Sequence, residues 1–143
     1  MRISAKVTYG LRALLDLAEH AEQGPLLSRD IARRQAIPET YLNQLVLQLR
    51  RASLITSLRG PRGGHMLALA PDAITVLHIF EALEGPLVVV PENSDAARVA
   101  TDGVLDNVWS ELRVVMRDAL AQVTLAQLQE RLRTTNGEFS YEI

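Results

Sequence analysis

Ile37-Pro-Glu-Thr-Tyr-Leu-Asn-Gln-Leu-Val-Leu-Gln-Leu-Arg-Arg51, followed closely by Leu54-Ile-Thr-Ser-Leu-Arg-Gly-Pro-Arg-Gly-Gly-His-Met-Leu-Ala-Leu69, is the stretch on which the fold turns. In its first part Leu42, Leu45, Val46 and Leu49 recur at helical spacing and form an inward face. Thr40, Asn43, Gln44, Leu47, Arg50 and Arg51 fall mostly elsewhere, and Pro38 at the first helical position fixes φ for the helix. In the second part Ile55–Leu58 and His65–Leu69 alternate as half-buried strands. Gly60, Gly63 and Gly64 between them permit positive φ and close backbone approach. A helix followed by a short basic hairpin is the footprint of a winged helix-turn-helix. Such a unit lays one helix in the DNA major groove and a cationic loop on the adjacent backbone or minor groove.

Upstream, Ser4 caps a helix running to about Ala21, with Val7, Leu11, Leu14, Leu15 and Ala18 on one face. Gly10 inside that helix marks a close packing partner, and Gln23-Gly-Pro25 ends the element. Ser28 is placed to cap a second helix, Arg29 to Gln35, with Ile31 and Ala32 inward, and Ala36-Ile-Pro38 is the turn into the third. Downstream, Thr75 caps a fourth helix through about Leu83, with Val76, Ile79, Phe80 and Leu83 inward. The segment 86–101 is the hardest to read: Leu87–Val90 is a short apolar run and Pro91–Asp95 a turn.

From about Thr101 to Gln122 the spacing predicts a long helix. Leu105, Trp109, Leu112, Met116, Ala119 and Val123 form a 3.5-residue seam, widened by Val104, Val108, Val115 and Leu120. A helix this apolar must bury two sides, one against its own domain and one against another chain. Thr124–Gln127 has the spacing of a capping box, and Leu125, Leu128 and Leu132 line a last helix. From Thr134 onward the chain is polar and reads as a flexible tail.

At 143 residues, the chain fits one compact domain with an appended helix. It has no cysteine, which excludes disulfides, zinc–thiolate sites and thiol chemistry. The start, Met1-Arg-Ile-Ser-Ala-Lys6, lacks the apolar run of a signal peptide, and no stretch approaches the ~20 apolar residues of a membrane helix. The expectation is a soluble, cytoplasmic protein without membrane contact.

Net charge is −2, yet residues 1–65 hold ten Lys/Arg against five acids and residues 66–143 five Arg against twelve acids. This division, +5 against −7, suggests one surface facing a polyanion and another facing protein or solvent. Chance segregation of solvated charges is the plain alternative. The coincidence of the basic residues with the winged-helix elements weighs against it.

Thr40, Tyr41, Asn43 and Gln44 lie near the end of the third helix that points at base edges in helix-turn-helix proteins. Asn and Gln can pair with adenine N6 and N7, and Tyr41 reads equally as a hinge between core and phosphate. Arg59 and Arg62 flank Gly60-Pro61 at the hairpin tip and suit a narrow minor groove, with Gly63 beside them. Arg2, Lys6, Arg29, Arg50 and Arg51 are expected near phosphate, contributing affinity and salt dependence; His65 is expected on the wing near phosphate, and Ser28 completes the expected DNA-binding set. His20, His65 and His78 lack metal-ligand spacing. No nucleophile–base set or phosphate loop can be assembled, so neither a metal site nor an enzyme is expected.

These residues together resemble the Rrf-two family of small bacterial winged-helix regulators, the IscR, NsrR and CymR type. The resemblance covers about residues 1–132. It rests on Met1–Ser4, Tyr9–Ala18, Ile31-Ala32, Tyr41–Leu45, Arg59–Gly64, Trp109 and Thr124–Leu128. It implies a homodimer built on the long helix and a roughly palindromic operator.

There are also departures from the family. Many relatives hold an iron–sulfur cluster with three cysteines before the long helix. The last of these lies six residues before the tryptophan, where this chain has Gly103. A thiolate-held cluster is therefore excluded, and no cofactor is expected. Asn43 stands where relatives often carry Glu, which moves the preference from cytosine N4 towards adenine, and His65 stands where tyrosine is common.

The resulting expectation is a mainly α chain: a winged helix-turn-helix over residues 1–84, a sensor-like loop over 85–101, a dimerisation helix and short last helix over 102–133, and a tail over 134–143. Its function would be that of a cluster-free homodimeric repressor, with Leu105, Trp109, Leu112, Met116 and Val123 at the dimer seam. Two alternatives are a regulator controlled by a partner protein and a protein–protein adaptor that has lost DNA binding. Around residues 86–103, Asp95, Asp102 and Asp106 read either as caps on the helix dipole or as part of a segment ordered by a small ligand or partner.

Overall fold

The structure is a computed structural model that describes residues 2–92 and 96–141. Ser4 opens α1 (Ala5–Glu19), its hydroxyl accepting the Val7 N–H at 3.4 Å. Val7, Gly10, Ala13, Leu14, Leu17 and Ala18 form the buried face. Gly10 is required by packing: a β-carbon there would collide with the Leu83 side chain of α4 (Val76–Glu84).

The helix-turn-helix follows as α2 (Ser28–Gln35) and α3 (Glu39–Arg51). Ile31 and Leu42, Leu45 and Leu49 are wholly buried between them and α1. Ala36, left-handed at φ 53°, ends α2, and its successor Ile37 donates to Ala32 O at 2.9 Å, which makes the turn tight.

Two expectations are corrected here. Pro38 (ψ 128°) is the N-cap of α3, outside its first turn, and its carbonyl accepts the Leu42 N–H. Ser28 is the first residue of α2 after an extended Leu27 and makes no cap, because its hydroxyl is turned towards the wing.

The wing pairs β1 (Ile55–Leu58) antiparallel with β2 (Gly64–Leu67), with Ser57 opposite His65. β2 starts one residue earlier and ends two earlier than the alternation predicts. A third extended segment joins the pair: Leu26 donates to His65 O at 3.0 Å and accepts from His65 N at 2.8 Å. Gly64 (φ 143°) makes this approach possible, since a β-carbon there would lie 2.6 Å from Leu26 O. Gly63 has no positive φ; it is needed because a β-carbon would meet Gly60 O at 2.9 Å.

Thr75 caps α4 reciprocally with His78: its hydroxyl accepts the His78 N–H, and His78 Nδ1 accepts the Thr75 N–H. The buried face of α4 is Leu77, Ile79 and Leu83, with Val76 and Phe80 only half-buried. The long helix α5 (Ala100–Ala121) meets mainly α4 and has no buried residue. Thr124 and Gln127 form the expected capping box on α6 (Leu125–Tyr141).

α6 returns to the N-terminal core, where Leu125 is fully buried and Gln129 donates to Glu19 of α1. Backbone bonds from Val76 N to Val123 O and from Leu125 N to Ile74 O fix this return. The helix continues past Thr134, where the polar sequence suggests a tail. The Thr134 and Thr135 hydroxyls bond the carbonyls of Glu130 and Arg131, which satisfies these polar groups within the helix.

One buried charge ties α1 to α2. Asp16, 1 % exposed, receives Arg34 Nε at 3.0 Å, Arg34 Nη2 at 2.7 Å and Gln35 Nε2 at 3.1 Å. The carboxylate holds the Arg34 guanidinium above its ordinary pKa. Among the described residues no buried side-chain polar atom is left without a partner, and no helix is long and apolar enough to cross a membrane.

Candidate nucleic-acid interface

The inward face of α3 is fixed by Leu42, Leu45, Val46 and Leu49, so the opposite face must carry Thr40, Asn43, Gln44 and Leu47, all of them exposed. They form one stripe at i, i+3, i+4 and i+7. Leu47, 37 % exposed, belongs with the candidate contacts and was missed as one. The available signal was an apolar residue on the polar side of the helix, where a thymine methyl offers it a partner.

Tyr41 lies half-buried against the core, edge-on to Tyr9 at 5.6 Å and 76°, and Arg12 stacks over Tyr9. The hinge reading of Tyr41 thus fits its position better than a base contact.

At the wing tip Arg59, Gly60, Pro61 and Arg62 are exposed and Gly63 is buried. Gly60 (φ 102°) turns the chain, and its carbonyl accepts the Gly63 N–H at 2.9 Å, so the two arginines sit on a narrow, stiff loop. Between this wing and the start of α2 runs an open groove lined by Ser28, Arg29, Glu39, Gly60 and His65.

His65 has a different environment from the one expected. Its Nε2 lies 2.8 Å from Ser28 Oγ and its Nδ1 2.7 Å from Ser57 Oγ. Both ring nitrogens are therefore engaged within the protein. Burial, and then the charge of Arg50, lower the His65 pKa from its ordinary value.

Arg29, Arg50 and Arg51 are exposed on the helix-turn-helix, and Arg2 is exposed ahead of α1. Lys6 is not in the groove; its Nζ donates to Leu83 O at 3.4 Å, at the end of α4.

On α5, Leu105 and Leu112 are 45 % and 43 % exposed, with Trp109 and Met116 half-buried. Val104, Val108 and Val115 extend this surface at 65 %, 46 % and 64 %. Val123 lies just beyond α5, half-buried, with its carbonyl bonded to α4. Of the run Leu87–Val90 only Leu87 is buried, and Val88 and Val90 are exposed. Asp102 accepts the Val99 N–H at 2.6 Å, a cap on the helix start, and Asp106 pairs with Arg98 at 2.5 Å; Asp95 lies outside the described residues.

The donor set in this region does not suit an iron site. It offers no thiolate, and Asp102 and Asp106 are occupied by a cap and an ion pair. The described residues contain no cluster of three or more His, Asp or Glu able to hold a metal.

Residues 3–131 match the family model Rrf2, described as iron-dependent transcriptional regulator. Over 128 residues the chain is 42 % identical to the putative HTH-type transcriptional regulator slr0846 of Synechocystis, covering 90 % of this chain and 87 % of that protein. Among solved structures, CymR, the global cysteine regulator of Bacillus subtilis, superposes with a TM-score of 0.77 at 35 % identity, covering 92 % of this chain and 98 % of that one. IscR of T. potens superposes with a TM-score of 0.74 at 35 % identity, covering 92 % and 88 %. With the helix-turn-helix, the wing and the long helix in place, the chain belongs to the Rrf2 family, a DNA-binding transcription regulator and not an enzyme.

Proposed function

We propose that the protein is a cytoplasmic, homodimeric repressor that reads a pseudo-palindromic operator and works without an iron–sulfur cluster. The observation that carries this reading is the pairing of two exposed features. One is the Thr40, Asn43, Gln44, Leu47 stripe beside an arginine-tipped wing, and the other is an apolar helix α5 left uncovered by its own chain. The stripe supplies amide groups for adenine edges and a methyl-bearing side chain for thymine. Arg59 and Arg62 suit a narrow minor groove, while Arg2, Arg29, Arg50 and Arg51 supply charge for phosphates. Joining two such units through α5 sets two recognition helices for half-sites about 34–36 Å apart. Occupying the operator would then block transcription. The absence of cysteine supports a signal other than a thiolate-held cluster.

The exposed Val88 and Val90 favour a second reading of control, a regulator whose signal is a partner protein or small ligand meeting the segment before α5. Selection of binding sites from random duplexes tests the main reading. The expected result is an inverted repeat with A·T-rich flanks. A selected motif without two-fold symmetry, or no duplex binding at moderate salt, would contradict it.

A further inference from the structure

Ser28 begins α2, Ser57 lies in β1, and they are 29 residues apart in sequence, yet one imidazole touches both hydroxyls. His65 is pinned in turn by its two backbone bonds to Leu26. The ring therefore joins the helix-turn-helix to the wing at the floor of the groove that runs between them.

A neutral imidazole has one donor and one acceptor nitrogen. With the ring proton on Nδ1, Ser57 accepts from the ring and Ser28 must give its proton to Nε2, so the Ser28 hydroxyl has no donor left for an outside acceptor; with the ring proton on Nε2 the same holds for Ser57 instead. An imidazolium donates from both nitrogens. Both serine oxygens then accept, and both hydroxyl protons are free to point elsewhere. Ser28, half-buried in the groove wall, can direct its proton towards a phosphate oxygen.

We propose that His65, neutral with its proton on Nδ1 in the free protein, is a positioning residue whose protonation is coupled to DNA binding: the duplex backbone draws a second proton onto Nε2, which turns the Ser28 hydroxyl outward as a phosphate donor. This rests on the reading of the groove as part of the DNA face. The charged groups around the ring are Arg50 and Glu39 of α3 and Arg29 of α2; Leu17 and Ala21, on its other side, carry no charge. In the free protein burial and Arg50 oppose the imidazolium. A phosphate placed over Ser28 and Arg29 would offset the Arg50 charge and reverse that balance.

The test measures binding of a random-sequence duplex of about 30 base pairs, long enough for two half-sites, by wild type and by His65→Gln. The Gln variant keeps hydrogen-bonding groups and cannot titrate. Wild-type affinity should rise about three- to fivefold more than that of His65→Gln between roughly pH 8 and pH 6, approaching about tenfold only well below the free ring's pKa, the limit set by a one-unit rise in that pKa on binding. In the wild type itself, the His65 ring resonances should titrate below the ordinary histidine range when free and at higher pH once duplex is added. Equal pH slopes for the two proteins, or a ring pKa unchanged by duplex, would overturn the coupling and leave the DNA reading intact. No duplex binding at any pH would overturn the DNA reading and the coupling with it.

Discussion

The region from α1 to α4 and the helix α5 contrast sharply in burial. Leu14, Ile31, Leu42, Leu45, Leu49 and Ile79 are each 0 % exposed, and even the Asp16 carboxylate in that region is enclosed and fully bonded. α5 carries a comparable density of valine and leucine and buries none of it. The first region finds its packing partners within the chain, whereas the second leaves Val104, Leu105, Val108, Leu112 and Val115 exposed at helical spacing, with Trp109 and Met116 half-buried beside them. The difference separates what closes within the chain from what stays open: α1 to α4, closed by the start of α6, form the buried unit that carries the helix-turn-helix, and α5 is the surface that the proposed dimer would cover.

The largest effect should come from breaking the complete region. Leu45→Ala removes a side chain shared by α3 and the core, and it should cost about 2–5 kcal/mol in urea unfolding at fixed protein concentration. A loss under about 1 kcal/mol would mean that the core is less continuous than its burial indicates.

The next effect belongs to the other region. Met116→Glu puts a charge on the proposed seam and should weaken association by about 2–3 kcal/mol, so that the variant sediments as a monomer at concentrations where the wild type is a dimer. Its far-ultraviolet helical signal should be nearly unchanged, because α1 to α4 do not depend on the seam.

Smaller again are the contacts to DNA. Arg59→Ala should lose about 1–3 kcal/mol, mostly on operators with a narrow A·T-rich minor groove, whereas Arg51→Ala should weaken all duplexes alike and reduce the salt slope by about one. Titrations of both variants at several salt concentrations, on the selected site and on random duplex, check this. Identical behaviour would remove the division between readout and phosphate contacts.

The smallest effect is on stability against pH. Folding lowers the His65 pKa from its ordinary 6.5, so on acidification the unfolded chain takes up the proton first. The His65 contribution should be constant above about pH 7.5 and decline as pH falls through the ordinary histidine range, until the folded ring protonates as well. Denaturation midpoints of wild type against His65→Gln across that range should show the decline in wild type only.

The α3–wing unit was legible because its determinants are local: apolar residues at helical spacing, then alternation around three glycines. The capping of α4 by Thr75 and of α6 by Thr124 was legible for the same reason. What the sequence hid depends on distant partners. Leu26 lies far from His65 in sequence and has no alternating neighbours to mark it as a strand, yet it completes the wing. The apparent cap at Ser28 was misread because a histidine beyond the wing tip holds its hydroxyl. Leu77 was missed on α4, where it is buried beside Ile79 and Leu83 although it lies off the spacing of Val76, Ile79, Phe80 and Leu83. The polar stretch after Thr134 suggested a tail because side-chain bonds to preceding carbonyls leave no trace in hydropathy. The segment before α5 combines an apolar run with a polar turn, and in the structure only Leu87 of the run is buried.

The central claim is that two copies joined through α5 read DNA without bound iron. Its most direct test is hydroxyl-radical footprinting, on the duplex the protein itself selects, with protein kept throughout in chelator and free of reductant. The account predicts two protected half-sites with centres about one helical turn, 10–10.5 base pairs, or a whole multiple of it apart. Protection of a single half-site, or a footprint that vanishes in chelator and returns with added iron, would contradict it.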